Sequence, residues 1–335
     1  MKFGVFDHMD AGGVSLEQQF EERLTLIEAY DRLGFYAYHL AEHHGTPLGL
    51  APSPGIFLAA VAQRSKRLRF GPLVYSLPLY HPLRLIEEIC MLDRLSGGRF
   101  EFGVGRGVSP IEVGFYGVDA EAGPRQFPEA LQLIKQGLTA DELTFSGEFY
   151  EFDKVPMVLS PIQKPYPPLW YGVVNPDTTH WAALESAHMV TLLPTDGARG
   201  VIDRYKSEWA GLGRSEEDLP LRGVMRLVVL AETDGQALST AERAYASWLG
   251  HMRWLWDQHG MEFPLRLPPE IGPMIEAGAA FAGTAAGFRD FVSHSVAAIG
   301  ANYVTCDVAF GNMTFDEAMR TTKLLGREVI PAFAA

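Results

Sequence analysis

The sequence has few cysteines, no long hydrophobic run and a deficit of basic residues. Its 335 residues include only 2 cysteines, Cys90 and Cys306, which are far apart and lack the spacing of a redox or zinc motif. This excludes a disulfide framework and indicates a reducing compartment. No apolar stretch reaches the roughly 18 residues that a transmembrane helix needs, and no leader-like segment precedes the first strand. We therefore expect a soluble, cytoplasmic protein.

The charge balance is acidic. The chain has 28 Lys and Arg against 41 Asp and Glu, a formal net charge of −13. Such a surface repels nucleic acid and anionic membranes, so neither is expected as a partner. A ligand phosphate would need a local basic pocket. Hydrophobic residues are plentiful instead, at 47% of the chain against 21% charged, which is typical of a globular protein with a large core.

Short apolar runs alternate with helical patterns along the chain. Eight strands are predicted, at residues 3–6, 35–40, 68–74, 100–104, 169–173, 189–193, 221–230 and 303–308. Helical patterns between them are typical of parallel βα units. The order predicts an α/β fold, a single (β/α)8 TIM barrel over residues 1–335 with insertions after strands 4 and 7. The main alternative is a doubly wound open sheet, but no GxGxxG motif follows the first strand.

The second insertion contains the least regular part of the sequence. Two helices are predicted at residues 235–248 and 253–259, and the Pro-, Gly- and Ala-rich stretch 260–283 is predicted to be a mobile loop over the active-site mouth. The apolar residues of this stretch indicate an apolar substrate; they are Phe263, Leu265, Leu267 and Ile271. Three nearby tryptophans, Trp248, Trp254 and Trp256, either line a substrate cavity or belong to the core or a subunit contact.

Polar residues follow several predicted strands, at the end of a barrel where active sites are found. Glu42-His43-His44 follows the second strand, and Tyr75-Ser76 follows the third. Adjacent side chains seldom chelate one metal ion, and no second ligand cluster supports a metal site. A histidine acting as a base or hydrogen-bond donor fits better, because imidazole titrates near neutral pH. His44 could equally cap the following helix or fill a polar pocket.

Two further segments could hold a phosphate. Gly103-Val104-Gly105-Arg106-Gly107 combines glycines, which permit close backbone approach, with a guanidinium that matches phosphate. It is also compatible with an ordinary tight turn carrying an exposed arginine. Asn175, Thr178 and Thr179 stand at a predicted helix start and offer donors beside free backbone N–H groups. Ordinary N-capping is the alternative there.

The chain resembles the bacterial luciferase-like flavin monooxygenases nearly from end to end. Ala41-Glu42-His43-His44 is the most specific match. Further matching segments occur in the same order along the chain; they are Leu92–Phe100, Gly105-Arg106-Gly107, Thr178-Thr179, Trp181-Ala182-Ala183 and Glu328–Pro331. Their order and spacing carry the resemblance, since no single string does.

The resemblance implies a barrel that binds reduced FMN, supplied by a separate flavin reductase, and uses dioxygen as co-substrate. In this family a flavin hydroperoxide inserts oxygen into a small organic substrate, often an aldehyde. Homodimerisation, through helices that follow the early strands, is a further implication. Two alternatives remain open: a deazaflavin-dependent hydride-transfer oxidoreductase of the same fold, and a non-catalytic flavin-binding relative.

The resemblance also assigns roles to residues. It implies that His43 is the catalytic histidine and that Arg106, together with Thr178 and Thr179, binds the flavin phosphate. Glu112 matches an acidic residue near the flavin, and Leu73-Val74 matches a non-proline cis peptide under the flavin ring.

Four other residues complete the predicted site. Asn175 is expected beside the flavin phosphate, and Glu42, His44 and Tyr75 are expected to contact the substrate or to support the catalytic group. The chain departs from the luciferases at Gly105, where they have a reactive cysteine, and at Val174, where an acidic residue is expected. These departures put light emission and long-chain aldehyde specificity in doubt.

Overall fold

The computed structural model describes residues 1–107 and 109–334. Within these residues the strands are β1 (Lys2–Asp7), β2 (Ala37–Leu40), β3 (Arg69–Pro72), β4 (Tyr75–Ser76), β5 (Phe102–Gly105), β6 (Glu142–Ser146), β7 (Glu151–Pro156), β8 (Leu169–Gly172), β9 (His188–Thr191), β10 (Arg222–Leu230), β11 (Ala280–Gly283) and β12 (Tyr303–Asp307).

Eight parallel strands form a closed barrel. Their order is β3-β2-β1-β12-β10-β9-β8-β5. Parallel pairing of Phe70 with Phe100, just before β5, closes the ring between β3 and β5. The short strand β4 lies beyond β3 and pairs with β5. The predicted α/β barrel is confirmed, and each predicted barrel strand is present with its ends shifted by a few residues.

Helices surround the barrel. They are α1 (Leu16–Leu33), α2 (Pro54–Arg64), α3 (Pro82–Ser96), α4 (Pro110–Phe115), α5 (Gly123–Thr139), α6 (Thr179–Leu184), α7 (Thr195–Gly211), α8 (Asp234–Gln258), α9 (Gly272–Glu276), α10 (Ala285–Phe291) and α11 (Phe315–Leu324). Local sequence signals set several ends. Ser15 caps α1, Gly34 closes it in the left-handed conformation, and Thr314 with Glu317 forms a capping box on α11.

The two predicted insertions are present. The first, after β5, contains α4, α5 and the antiparallel hairpin β6–β7. The second, after β10, contains α8, where the prediction of two helices is wrong. One helix runs through Gly250, because a single interior glycine costs only about 1 kcal/mol relative to alanine. Packing of Trp248 before it and Leu255 after it offsets that cost.

The prediction that residues 260–283 form one mobile loop is also wrong in its second half. Residues 272–276 form α9, and β11 adds a parallel strand beside β10, with Val228 opposite Phe281. The Ala- and Gly-rich composition hid this strand, since it lacks the β-branched residues that usually mark one. In the first half, Phe263 packs against Ile111 and Trp256 in a small apolar cluster.

The barrel interior is filled at its centre and open at one end. Trp170, Tyr303, Val190 and Leu73 pack together across the middle. His39 lies among them, with its Nε2 2.9 Å from the Tyr303 hydroxyl. Burial lowers the pKa of His39 to about 3, so this imidazole is neutral. The main core lies between the strands and the helices. None of the described helices is long and apolar enough to cross a membrane.

Candidate functional site

His43 and Glu112 meet at the carboxyl-terminal end of the barrel. His43 lies just beyond β2, and its Nδ1 is 3.3 Å from Glu112 Oε1. The other carboxylate oxygen of Glu112 accepts the His44 backbone N–H at 2.8 Å. Glu112 is placed by α4, whose cap Ser109 accepts the Glu112 backbone N–H. The carboxylate therefore fixes both the backbone and the ring of this histidine segment.

Glu42 and His44 form the wall beside His43. Glu42 Oε1 is 2.8 Å from His44 Nε2, and Glu42 Oε2 accepts the Ser76 backbone N–H at 2.9 Å. The other His44 nitrogen, Nδ1, is 2.8 Å from the Tyr116 hydroxyl. Both ring nitrogens of His44 are thus engaged, whereas His43 has a described partner only at Nδ1. No described residues form a group of three or more His, Cys, Asp or Glu placed to bind a metal.

The chain bends sharply after β3. The predicted cis peptide bond between Leu73 and Val74 is present. Val74 then packs on β5, where a Cβ added to Gly105 would lie 2.3 Å from Val74 Cγ2. At Gly103 an added Cβ would lie 1.9 Å from the Pro72 carbonyl oxygen. Glycine is needed at both positions because neighbouring backbone and side chain occupy the space.

Arg106 is exposed just beyond β5. It lies near the Tyr171 ring, where its positive charge lowers the pKa of a hydroxyl that burial raises overall. Among the described residues no carboxylate pairs with Arg106 within 4.0 Å. A guanidinium at the barrel mouth that has no carboxylate within 4.0 Å among the described residues can bind an anionic group of a ligand.

Asn175, Thr178 and Thr179 follow the neighbouring strand β8. Asn175 is exposed and its Oδ1 accepts the Asp177 backbone N–H at 3.0 Å. The Thr178 hydroxyl donates to the Asn175 carbonyl at 2.8 Å, and the buried Thr179 hydroxyl donates to the Pro176 carbonyl at 2.6 Å. The N-capping interpretation therefore applies to Asn175. The segment lies beside Arg106 because β8 pairs with β5.

The space between these groups is an open apolar basin. Val174 is 50% exposed and Leu192 is 40% exposed, although both follow barrel strands. Phe6, Val74 and Met225 are only partly buried above the central layer. Gly172 has nothing within 4 Å of where its Cβ would lie. A flat apolar ring with an anionic tail fits an apolar floor that has a cation at its edge.

The structure does not bring Tyr75 to this basin. The ring is fully buried, and its hydroxyl donates to Glu88 Oε1 at 2.7 Å, in α3. Tyr75 therefore lies between the barrel and α3. Of the three tryptophans, Trp248 and Trp256 are buried, and Trp254 is exposed.

One residue at the mouth had no role assigned from the sequence. His8 follows β1, and its ring lies 5.9 Å from the His43 ring, at an angle of 24°. Its Nδ1 is 3.1 Å from Asp307 Oδ2, at the end of β12. The polar residues directly after β1 were the available signal, since the ends of all barrel strands converge.

Comparison with known proteins identifies the family. Residues 1–303 match the family described as luciferase-like monooxygenase, and the chain belongs to this family of oxidoreductases. It is 40% identical over 330 residues to an uncharacterized protein of Sinorhizobium fredii, covering 98% of this chain and 96% of that protein. It is 26% identical over 258 residues to the oxygenase component of a flavin-dependent trigonelline monooxygenase of Acinetobacter baylyi, covering 75% and 71%.

Solved structures share the fold over the whole chain. The monooxygenase RslO1 of Streptomyces bottropensis superposes with a TM-score of 0.86 at 25% identity, covering 100% of both chains. The FMN complex of the oxygenating constituent of 3,6-diketocamphane monooxygenase from Pseudomonas putida gives 0.84 at 17%, covering 100% and 99%. A coenzyme F420-dependent tetrahydromethanopterin reductase from Methanopyrus kandleri gives 0.76 at 17%, covering 99% of each chain.

Proposed function

We propose that this protein is a monooxygenase that uses reduced FMN and dioxygen to oxygenate a small organic substrate. The observation that carries the proposal is that His43, held by Glu112, and the exposed Arg106 both follow strands at the same end of the barrel, beside partly exposed apolar side chains. The relative from Acinetobacter baylyi is named as an oxygenase component. This supports delivery of the reduced flavin by a separate reductase.

The residues present fit a flavin mononucleotide. Arg106 would hold the phosphate, with the exposed amide of Asn175 and the hydroxyl of Thr178 beside it. The bend at Leu73-Val74 and the adjacent Gly105 would support the ring system. Bound reduced FMN would react with dioxygen and deliver one oxygen atom to the substrate, while the other leaves as water.

The protein groups would orient ligands and handle protons. Glu112 holds the His43 ring through Nδ1, which leaves Nε2 to donate or accept a hydrogen bond in the basin. Glu42 orients His44 and the Ser76 backbone. The apolar floor excludes water from the reacting atoms. Val174 and Leu192 favour a substrate with an apolar portion.

Binding measurements test the cofactor. We expect reduced FMN to bind more tightly than oxidised FMN, and Arg106→Ala to weaken binding by about tenfold or more, as expected for a lost charged hydrogen bond. Arg289→Ala, at a surface arginine on α10, is the control. Coenzyme F420 is tested in parallel, because an F420-dependent reductase shares the fold. Binding of F420 alone would replace this proposal by hydride transfer.

Stopped-flow absorbance tests turnover. When dioxygen is mixed with the reduced-flavin complex, we expect an oxygen-dependent transient whose lifetime is shortened in His43→Asn. His294→Asn, at an exposed histidine three residues after the end of α10, should behave as wild type. Equal lifetimes in wild type and His43→Asn would refute the role of His43. Tight flavin binding without any transient would favour a non-catalytic flavin-binding protein.

We also propose a homodimer formed through α2 and α3, which follow the early strands. Ile56 on α2 and Met91 and Leu95 on α3 are exposed by 78%, 53% and 51%. Light scattering should give twice the 37.0 kDa chain mass, and Leu95→Glu should shift the protein towards monomer. A monomeric wild type at micromolar concentration would contradict the dimer.

A further inference from the structure

His8 is a second histidine held in a defined orientation at the barrel mouth. Its Nδ1 faces Asp307 Oδ2 at 3.1 Å. The ring contacts the Phe6 ring edge-on at 4.8 Å and the Trp248 ring at 5.9 Å. Only 6% of the residue is exposed. One hydrogen bond and two aromatic neighbours therefore fix the imidazole, which is the usual condition for a residue that must act in one geometry.

The Asp307 contact selects the tautomer of His8. Burial raises the pKa of Asp307 to about 6, and the neighbouring Asp7 and Asp10 act in the same direction, whereas His8 opposes them. Above that pH Asp307 is a carboxylate and accepts a hydrogen bond from the Nδ1–H group of His8. Trp248 Nε1 lies 3.5 Å from the same nitrogen, too far to compete with a contact at 3.1 Å. The Nε2 of neutral His8 is then left unprotonated.

His8 and His43 are arranged alike and lie side by side, with their ring centres 5.9 Å apart. Each ring has its Nδ1 beside a carboxylate, Asp307 for His8 and Glu112 for His43. Among the described residues, neither Nε2 has a partner, whereas His44 uses both of its ring nitrogens. Two nearly parallel imidazoles in contact would repel each other if both were protonated. This arrangement suits one neutral ring that takes up a proton.

We propose that His8, held by Asp307, is a second catalytic residue that accepts a proton from an O–H or N–H group of the substrate. The inference rests on the proposed function, because it places the substrate in the same basin. The X–H bond breaks, its electron pair stays on the substrate atom, and the proton moves to His8 Nε2. Asp307 stabilises the resulting imidazolium. The proton returns to solvent after the product leaves.

The inference narrows the substrate class. A substrate with a dissociable O–H or N–H beside a flat apolar body would reach His8 Nε2 and pack against Phe6 and Trp248. The other charged groups near His8 and Asp307 form ion pairs with each other. Arg23 pairs with Asp7 at 3.1 Å, and His251 pairs with Asp10 at 3.0 Å. Neither pair occupies His8 Nε2.

The first test measures the tautomer without flavin or substrate. Nitrogen-15 NMR of histidine-labelled protein should show His8, assigned through His8→Gln, protonated at Nδ1 and unprotonated at Nε2 at pH 7.5. Asp307→Asn should lose that preference. Asp10→Asn, which alters the equivalent His251 pair, should leave the His8 signals in place. A His8 ring protonated only at Nε2 in wild type would overturn the proposal.

The second test uses 4-nitrophenol, whose visible absorbance reports its ionisation. Bound to the flavin-free protein, it should ionise at a lower pH in wild type than in His8→Gln, by about one pH unit, which corresponds to tenfold. Asp307→Asn should have a smaller effect in the same direction, and His251→Gln none. Ionisation at the same pH in wild type and His8→Gln would overturn the proposal, and so would absence of binding to wild type.

The two proposals fail separately. If reduced FMN does not bind but the 4-nitrophenol result holds, the proposed cofactor is wrong and the role of His8 stands. If FMN binds and the transient forms but His8→Gln leaves the phenol titration unchanged, the proposed cofactor stands and the role of His8 is wrong. Circular dichroism of His8→Gln and Asp307→Asn checks that both variants are folded, and each variant tests the pair independently.

Discussion

At the residue scale, the site is built from histidines whose positions depend on carboxylates. Glu42, Glu112 and Asp307 each lie within hydrogen-bonding distance of a different imidazole, those of His44, His43 and His8. A carboxylate that accepts two hydrogen bonds holds both donors in place, and an amide cannot replace it fully because one of its two polar atoms is a donor. Glu112 is the clearest case, since it serves His43 and His44 together.

Glu112→Gln should therefore weaken the function of His43 more than the stability of the fold. We expect the dioxygen-dependent transient to decay about tenfold faster, since a hydrogen bond to a charged group contributes about 1.5–3 kcal/mol. Stopped-flow absorbance measures the lifetime. Glu121→Gln, at an exposed position in the same insertion, is the matched control. An unchanged lifetime in Glu112→Gln would show that Glu112 does not position His43.

At the element scale, the contact between β5 and the bend after β3 shapes the basin. Val74 lies where a side chain on Gly105 would have to be. The luciferase-like cysteine noted at this position would meet the same obstacle. Val74 thus occupies the space that a cysteine side chain at position 105 would need, so this chain has close packing where the luciferases have a reactive thiol.

Gly105→Ala should destabilise the protein, because an overpacked site costs about 1–3 kcal/mol. Urea unfolding followed by circular dichroism measures the change. Adding Val74→Ala should recover much of the loss, since it removes the Cγ2 atom that the new methyl meets 2.3 Å away. Gly172→Ala is the control, because nothing lies within 4 Å of its added Cβ. Equal stability of wild type and Gly105→Ala would contradict the packing argument.

Elements marked by local periodicity could be predicted from the sequence, and elements that depend on tertiary contacts could not. The barrel strands have alternating or continuous apolar residues, so their order predicted the fold. Strand β11 has only Ala, Phe and Gly, and its pairing with β10 is a tertiary contact. The sequence predicts two helices, at 235–248 and 253–259, where the structure has the single helix α8, because the buried contacts on both sides of the predicted break are tertiary.

The same distinction applies to the site. The resemblance supplied His43, Arg106 and Glu112, and their roles remain predictions. His8 and Asp307 are 299 positions apart in sequence. They become neighbours only because β1 pairs with β12 when the barrel closes. Tyr75 was grouped with the site because it follows β3, but strand alternation turns its side chain towards α3.

At the scale of the whole molecule, we propose that residues 1–335 form one domain around the barrel. Its interior contains the buried His39 and the partly buried His188, which affect stability in acid. His39 has a pKa of about 3, and burial also lowers the pKa of His188 to about 4. Unfolded histidines titrate near 6.5. The unfolded chain thus binds more protons below that pH, and the free energy of unfolding falls as the pH decreases.

This acid dependence is measurable. For His39, the loss of stability begins near pH 6.5 and continues down to about pH 3. The free energy of unfolding should therefore fall by about 2 kcal/mol between pH 7 and pH 5. His39→Gln should remove that part of the dependence, and the exposed His294→Gln should not. Urea unfolding at the two pH values provides the measurement. An unchanged difference between the two pH values in His39→Gln would show that His39 is not neutral in the folded protein.

Helix α8 contacts several of the residues that hold the site in place. Its 25 residues span roughly 37 Å. Trp248 touches His8, His251 holds Asp10, and Leu255 and Trp256 pack with Ile111 of α4, beside Glu112. The single helix α8 therefore contacts His8 directly and packs against α4, the helix that carries the His43 partner Glu112. A displacement of α8 would shift His8 and Glu112 together, so His8 and His43 are expected to keep their relative positions when the helix moves.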